Sequence, residues 1–292
     1  MPETPEVREP VVVVERRGPV ALLRLNRPEQ RNTVTYEVLD SLIAAADAIE
    51  QDDDVRAVVL TGTGRYFSAG TDLSARDGFR ADGSDFKPLR GGTRDVGGEL
   101  SLRIFESNRP WITAYNGTAV GIGITMALPT DIRIAADDAR FGLPFTRRGI
   151  VPESCGSWFL PRLVGIGKAV EWTMTGRIFP AEEALRAGLV HELVPADQVL
   201  DRALAVATDI AEGSSPIAVA LARQMLWRGL SEDHPIAANR LESAALLALT
   251  TGPDVKEGVS AFREKRPPAF TSHRSADLPD FYPWWTTPPW KE

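Results

Sequence analysis

The sequence predicts an α/β fold with parallel strand pairing, followed by a largely helical part. Three observations support this prediction. The first third of the chain alternates apolar, strand-like runs with an amphipathic helical segment. The run at 55–62 is apolar and rich in β-branched residues, as expected of a strand buried on both faces of a parallel sheet. From about residue 153 onward, helical periodicity dominates the sequence.

The individual elements follow in order along the chain. Residues 11–28 predict two strands joined near Arg17-Gly18, and residues 36–51 carry apolar positions at helical spacing. Residues 75–98 are rich in glycine and charge, and we expect a long loop that acts as a lid or a pocket wall or is mobile. The next predicted elements are a strand and turn at WITAYNGTAV, a short helix at GIGITMALPT, and a further strand and turn at DIRIAADDARFGLP.

The chain is predicted to have four segments. Residues 1–10 are polar and form a disordered lead-in, and residues 11–195 form the core that carries the site. Residues 196–266 form a helical region, and residues 267–292 form a Pro- and Trp-rich tail. The tail aromatics would be a large apolar patch if exposed, so we expect them to dock on the protein or on a neighbouring subunit: Phe281, Tyr282, Trp284, Trp285 and Trp290.

Composition restricts the classes of function. Of the 292 residues, 43% are apolar and 25% are charged, the balance of an ordinary globular protein. The formal net charge of −7 disfavours nucleic acid and anionic membranes as partners. Cys155 is the single cysteine, and the N-terminus has no apolar signal-peptide core, so we expect a cytoplasmic protein. The three histidines lack metal-ligand spacing, so we expect no metal.

A small-residue stretch, RYFSAGTDLS (65–74), follows the predicted buried strand. Gly70 permits backbone angles that other residues avoid, and it permits close approach of a ligand. The N–H group of Thr71 could then donate a hydrogen bond to an oxygen that develops negative charge. The structural alternative is a turn that simply ends the strand.

A second glycine-containing stretch, NGTAVGIGITMA (116–127), lies where a turn enters a helix. The first N–H groups of a helix have no internal partner and lie at its positive end, so the N–H of Ile122 is a second candidate donor. Two aimed N–H groups stabilise an oxyanion or enolate. The alternatives are a dinucleotide-binding loop, although its third glycine is missing, and glycines that only permit close packing.

The third candidate is Glu153 in RRGIVPESCGSW (147–158). Pro152 suits the first turn of a helix, and Glu153 or Ser154 suits its capping region. Glu153 is therefore either a helix N-terminal carboxylate or a general base in a pocket. A helix N-terminus lowers the pKa of a carboxyl group, whereas burial raises it, and the sequence leaves both effects open.

These stretches, in this order, resemble the enoyl-CoA hydratase/isomerase (crotonase) family over residues 11–267. The segments that carry the resemblance are LNRPEQRNTV, YFSAGTDL, ITAYNGTAVGIGI, DIRIAADDARFGLPFTRRGIVPE, GRIFPAEEALRAGLV and EGVSAFREKRPP. The resemblance implies a spiral of stacked βαβ turns followed by a helical trimerisation region at 196–266. It also implies homotrimers or dimers of trimers, an acyl-CoA thioester as substrate, and no cofactor beyond its CoA moiety.

The resemblance also assigns roles by position. It implies that Thr71 and Ile122 supply the two oxyanion-hole N–H groups. The positions implied for CoA binding are Arg31 near the phosphates, the backbone around Ser68, Ala69 and Leu73 at the adenine, and Phe262 and Lys265, which often act from a neighbouring subunit.

The chain departs from the family's hydratases at their two glutamate positions, which here are Thr125 and Phe145. Neither side chain can exchange a carboxyl proton. Glu153 matches the position of the acid in the family's isomerases, where one carboxylate can move a proton from C2 to C4 of a 3-enoyl thioester. The sequence therefore favours a 3-enoyl-CoA to 2-enoyl-CoA isomerase.

Three alternatives remain open at this point. One is a hydratase whose acids come from elsewhere, for example from Asp77, Asp82 or Asp85 in the 75–98 loop. Another is a hydrolase or dehalogenase in which Glu153 attacks as a nucleophile. The third is a family member that binds acyl-CoA without turnover. Incubation with a 3-enoyl-CoA and with a 2-enoyl-CoA would separate these alternatives.

Overall fold

The computed structural model describes residues 9–73, 87–89 and 92–289, with backbone alone at 87–89 and 92–93. Most of the predicted lead-in lies outside these residues. The same holds for Trp290 and for the three loop aspartates at 77, 82 and 85.

The strands of the described residues are short, and most are buried. Their bounds are β1 (Val12–Arg17), β2 (Val20–Leu25), β3 (Ala57–Gly62), β4 (Lys87–Leu89), β5 (Gly92–Arg94), β6 (Trp111–Tyr115), β7 (Ala119–Val120), β8 (Ile132–Ala136), β9 (Arg140–Gly142), β10 (Ile178–Pro180) and β11 (Glu192–Val194).

The α-helices lie mostly in the second half of the chain. Their bounds are α1 (Tyr36–Glu50), α2 (Val96–Glu106), α3 (Ile122–Thr125), α4 (Gly156–Thr175), α5 (Ala181–Arg186), α6 (Val199–Gly213), α7 (Pro216–Gly229), α8 (Pro235–Thr250), α9 (Pro253–Glu264) and α10 (Arg274–Asp277). Short 3-10 helices occur at Pro28–Gln30, Thr146–Arg148 and Ala196–Gln198.

The central sheet has six strands in the order β1-β2-β3-β6-β8-β11. Only β1 and β2 are antiparallel; they form the predicted hairpin, and Gly18 turns it with a φ of 58°. Every other neighbouring pair is parallel. All six residues of β3 are buried, because strands flank it on both sides and helices cover the sheet. The predicted α/β class and parallel pairing are confirmed.

A second sheet, in the order β10-β9-β7, joins the strand before α3 to the region that precedes α5. In it β7 pairs in parallel with β9, with Ala119 opposite Phe141. This pairing holds the start of α3 against the segment that follows β9. Both segments contribute to the candidate site.

The prediction of a loop over all of 75–98 is wrong at its C-terminal end. The two-stranded β4-β5 ribbon and the start of α2 lie within it. Asp95 caps α2, and its side chain accepts a hydrogen bond from the N–H of Gly98. Two glycines in the first turn conceal the helical spacing of Val96, Leu100 and Ile104, which are all buried.

The C-terminal helices differ in what they cover. Helix α6 packs against the central sheet and buries Ala203, Ala207 and Ala211. Helices α7 to α9 lie beyond it, and the apolar side chains they leave exposed include Leu226, Leu230, Ile236, Leu246, Leu247 and Phe262.

The tail folds back onto the protein, as predicted for its aromatic side chains in the described part. Phe281, Tyr282 and Trp284 pack against a small cluster of buried side chains from α7 and α8. Trp285 contacts both Tyr282 and Trp284, and the Arg228 guanidinium lies 3.4 Å from its ring centre.

Across the described residues, no single helix is long and apolar enough to cross a membrane. One pair of consecutive segments reaches that length and composition only when the two are taken together: Ala196–Gly213 and Pro216–Gly229, which are bent by 116°.

Candidate active site

The N–H group of Thr71 points away from its neighbouring segment. Val34 forms a parallel bridge with Thr71: the N–H of Val34 donates to the Gly70 carbonyl at 2.8 Å, and the N–H of Asp72 donates to the Val34 carbonyl at 2.9 Å. Successive peptide groups alternate in direction along an extended chain, so the N–H of Thr71 faces the opposite side. Gly70 permits this path with a φ of 98°.

The N–H group of Ile122 lies at the start of α3. Gly121 precedes the helix with a φ of 55°, and its own N–H donates a hydrogen bond to the Gly142 carbonyl at 2.9 Å. The first intrahelical donor is Ile124, whose N–H bonds to the Gly121 carbonyl at 2.9 Å. The N–H of Ile122 thus has no backbone acceptor within the described residues.

The two donor segments are locked together by main-chain contacts. Ser68 bridges Ala119, donating to Thr118 at 3.2 Å and accepting from Val120 at 3.0 Å. A Cβ atom at Gly70 would lie 3.0 Å from the Val120 carbonyl oxygen, so the segments meet closely there. Thr71 and Ile122 line one cavity of about 50 Å³, together with Ala69, Leu73, Pro144, Phe145, Arg148 and Ile150.

Gly123 has a different task from Gly121. A Cβ atom at position 123 would lie 2.8 Å from the Ser68 carbonyl oxygen. The packing role weighed for the glycines of this stretch therefore applies to Gly123, whereas Gly121 provides the turn that starts the helix.

Glu153 is held through both oxygens of its carboxyl group. The hydroxyl of Thr125 donates to Oε1 at 2.5 Å, and the hydroxyl of Ser154 donates to Oε2. Thr125 lies three residues after Ile122 in α3, which is about one helical turn. The carboxyl group therefore adjoins the short helix that presents the Ile122 donor.

The turn around Glu153 differs from the predicted helix start. Helix α4 begins only at Gly156, and Ser154 and Cys155 both have a φ of 55°. Pro152 therefore lies before the helix, and neither Glu153 nor Ser154 caps it, so that prediction is wrong. Two successive left-handed residues are costly for non-glycine side chains, and the surrounding contacts must hold them in place.

The electrostatic outcome for Glu153 is decided by burial. The residue as a whole is partly exposed, but its carboxyl group is buried, and this raises its pKa to about 7. The hydrogen bonds from Ser154 and Thr125 oppose the shift, and the negative charge of Asp95 adds to it. A carboxyl group with a pKa near neutrality suits proton transfer in both directions.

Two residues at the start of α2, its N-cap Asp95 and Gly97, shape this site, and the sequence interpretation missed them. A Cβ atom at Gly97 would lie 2.5 Å from Glu153 Oε2 and would also collide with the Ser154 hydroxyl. Asp95, besides capping α2, accepts from the Ser154 N–H at 3.4 Å. A capping aspartate followed by two glycines at 97 and 98 is the signal that could have drawn attention to them.

The positions assigned to CoA by resemblance fall in two regions. Ser68 is fully buried, and its backbone N–H and carbonyl both have protein partners. Ala69 and Leu73 line the cavity, and Leu73 is half-exposed. Arg31 is exposed, with its guanidinium carbon 5.7 Å from the centre of the Tyr66 ring.

Phe262 and Lys265 lie at the end of α9 and are exposed, Phe262 by 85%. Neither lines the cavity, and their role toward CoA stays a prediction. Cys155 is half-buried, which raises the pKa of its thiol. Among the described residues, no group of three His, Cys, Asp or Glu side chains could hold a metal ion.

Comparisons with known proteins agree with this architecture. Residues 15–273 match the profile of the family described as enoyl-CoA hydratase/isomerase. The chain is 44% identical over 252 residues to enoyl-CoA hydratase ACTT3 of Alternaria alternata, covering 86% of this chain and 82% of that protein. It is 36% identical over 257 residues to the short-chain-enoyl-CoA hydratase of Clostridium acetobutylicum, covering 87% and 95%.

A solved structure is similar as well. The crystal structure of a probable enoyl-CoA hydratase/isomerase from Mycobacterium abscessus superposes with a TM-score of 0.82 at 36% identity, covering 90% of this chain and 99% of that chain. The α/β fold with a helical C-terminal region and the family inferred from the sequence are thus confirmed. The chain belongs to the enoyl-CoA hydratase/isomerase family.

Proposed function

We propose that this protein converts 3-enoyl-CoA thioesters to 2-enoyl-CoA thioesters. The observation that carries the proposal is a single buried carboxyl group, Glu153, whose pKa is about 7, beside the helix that presents the Ile122 donor. The positions at which the family's hydratases carry glutamates hold Thr125 and Phe145. One acid beside one pair of N–H donors is sufficient for isomerisation.

The reaction needs one proton to move between two carbons. The Glu153 carboxylate takes the proton from C2, and the electron pair of that C–H bond moves into the thioester, so that negative charge develops on its oxygen. The N–H groups of Thr71 and Ile122 stabilise this oxygen. As the carbonyl re-forms, the double bond shifts from C3–C4 to C2–C3, and the Glu153 carboxyl returns the proton to C4.

Turnover of the two thioesters tests the proposal. We expect the protein to convert 3-hexenoyl-CoA to 2-hexenoyl-CoA and to hydrate 2-hexenoyl-CoA far more slowly. Glu153→Gln keeps the size of the side chain but cannot accept the proton, so we expect turnover to fall about 10³-fold while the Kd for hexanoyl-CoA stays unchanged.

The opposite results would refute the proposal. Full isomerase activity in Glu153→Gln would remove this residue from the reaction. Tight binding of hexanoyl-CoA with no product from either enoyl thioester would instead identify a binding protein.

A second candidate function is hydration, and two observations favour it. Relatives such as those from Alternaria alternata and Clostridium acetobutylicum are named hydratases. Asp95 places a second carboxylate close enough to Glu153 to raise its pKa. If this pair performs hydration, 2-hexenoyl-CoA gains water rapidly and Asp95→Asn abolishes that activity.

We also propose that the chain assembles as a homotrimer or a dimer of trimers. The exposed apolar side chains of α7 to α9 support this, since such side chains commonly become buried between subunits. Sedimentation of the purified protein tests it, and a monomer at micromolar concentration would refute it.

A further inference from the structure

Arg148 lines the same cavity as the two N–H donors. It ends the 3-10 helix Thr146–Arg148 and is exposed. The described residues that line the cavity include no Asp or Glu. Apart from Thr71, the other described lining residues are apolar or glycine. Among the described lining residues, Arg148 is therefore the one with a charged side chain.

The hydrogen-bonding capacity of Arg148 is largely unused within the protein. Its guanidinium donates to the carbonyl of Pro144 at 3.2 Å. Among the described residues, no carboxylate forms an ion pair with it. A guanidinium carries five N–H donors, so most remain available. The neighbouring Arg147 turns the other way, donating to the Thr175 carbonyl at 2.5 Å and packing beside Gly176.

Arg148 is not the counter-ion of Glu153. The carboxyl of Glu153 accepts from Thr125 and Ser154, and the charge that acts on it is that of Asp95. As far as the described residues show, the guanidinium is thus available to a group that arrives with the substrate.

We propose that Arg148 binds an anionic group of the substrate, and that this group is a carboxylate on the acyl chain. The inference rests on one part of the proposed function, namely that the thioester oxygen binds to the N–H groups of Thr71 and Ile122. Arg148 lines the same cavity as Thr71 and Ile122, so the anion must lie near that oxygen. The phosphates of CoA are separated from the thioester by the whole pantetheine arm. A carboxylate also matches the planar fork of a guanidinium.

Binding of saturated thioesters tests this without requiring turnover, so the result is independent of whether the protein is an isomerase. Calorimetry measures the Kd values of adipyl-CoA and hexanoyl-CoA, two thioesters that differ only in a terminal carboxylate in place of a methyl group. Glutaryl-CoA and pentanoyl-CoA form a second pair with a shorter acyl chain. We expect at least one diacid thioester to bind about tenfold more tightly than its neutral partner.

Two variants locate the effect. Arg148→Gln should abolish the preference for the diacid and leave the Kd of the neutral thioester unchanged. Arg147→Gln is the matched control and should keep the preference, because its side chain points to Thr175.

Three results would overturn the assignment. The first is that the parent protein binds neither diacid thioester more tightly than the matching neutral thioester. The second is that Arg148→Gln weakens the binding of neutral and diacid thioesters equally. The third is that Arg148→Gln weakens the binding of hexanoyl-CoA but not of hexanoyl-pantetheine, which would identify a CoA phosphate as the anion that Arg148 binds.

Discussion

The candidate site has two halves that are built differently. One half consists of the main-chain N–H groups of Thr71 and Ile122, which are placed by backbone bridges between neighbouring segments. The other half is the Glu153 side chain, which is placed by the hydroxyls of Thr125 and Ser154 and by the absence of a side chain at Gly97. The first half depends on backbone geometry, and the second on side-chain identity.

This difference determines which substitutions can damage each half. Replacing a side chain leaves a main-chain donor in place unless the backbone itself must move. Replacing a hydroxyl beside Glu153 changes the position and the pKa of the acid directly.

Gly70→Ala should cause the largest loss in the backbone half. The new Cβ would lie 3.0 Å from the Val120 carbonyl oxygen at a φ of 98°, so the Thr71 N–H must turn. Losing one such donor lowers kcat by about 10²- to 10³-fold. The pH midpoint of the rate should not change, because Glu153 is untouched. Gly18→Ala, in open space at the hairpin, is the control for backbone strain alone; parent-like kcat in Gly70→Ala would contradict the role of this donor.

Glu153→Gln should make the protein more stable at pH 8. The folded state raises the pKa of Glu153 from 4.5 to about 7, so this group's contribution to stability is fully present below 4.5 and is lost as pH rises through 7. A neutral amide avoids that loss, which is on the order of 3 kcal/mol. Urea denaturation of both proteins at pH 5 and pH 8 measures it. A stability difference that does not grow with pH would show that the carboxyl is not buried.

Gly97→Ala should disable the side-chain half while the fold persists. The added methyl group displaces the tip of Glu153, and a misplacement of about 1 Å can cost about 10²-fold in rate. Steady-state kcat together with the thermal midpoint separates this from unfolding. Gly167→Ala in α4 meets nothing within 4 Å and serves as the control. Unchanged kcat in Gly97→Ala would show that Glu153 needs no fixed position.

Thr125→Val should reduce kcat about tenfold with little change in KM, since it removes one hydrogen bond to the carboxylate. That bond lowers the pKa of Glu153, so the midpoint of the pH–rate profile should move upward. Thr125→Ser should restore both values. A profile that stays in place would mean that Thr125 only fills space.

Thr71→Ala should have the smallest effect. The side chain is exposed and the proposed donor belongs to the main chain, so kcat should stay within about twofold of the parent. Measured alongside Gly70→Ala, it separates the backbone contribution from the side-chain contribution at neighbouring positions. A loss as large as that of Gly70→Ala would assign the role to the hydroxyl instead.

Much of the fold could be predicted because its signals are local. The apolar run of β3 and the helical spacing of α1 each lie within one short stretch. Helix α2 was not predicted from the sequence, because Gly97 and Gly98 obscure the spacing of its first turn. The helix start at Glu153 was misjudged because the left-handed angles of Ser154 and Cys155 have no sequence signature there.

The sequence alone determined the α/β class, the β1-β2 hairpin, α1, β3 and the two glycine turns before the Thr71 and Ile122 donors, since each depends on neighbouring residues. Only the tertiary structure decided the state of Glu153. Its partner Thr125 is 28 residues away, and Asp95 and Gly97 lie on another helix. Burial outweighed the hydrogen bonds that favour ionisation, because the energy of a charge depends on everything that surrounds it in three dimensions.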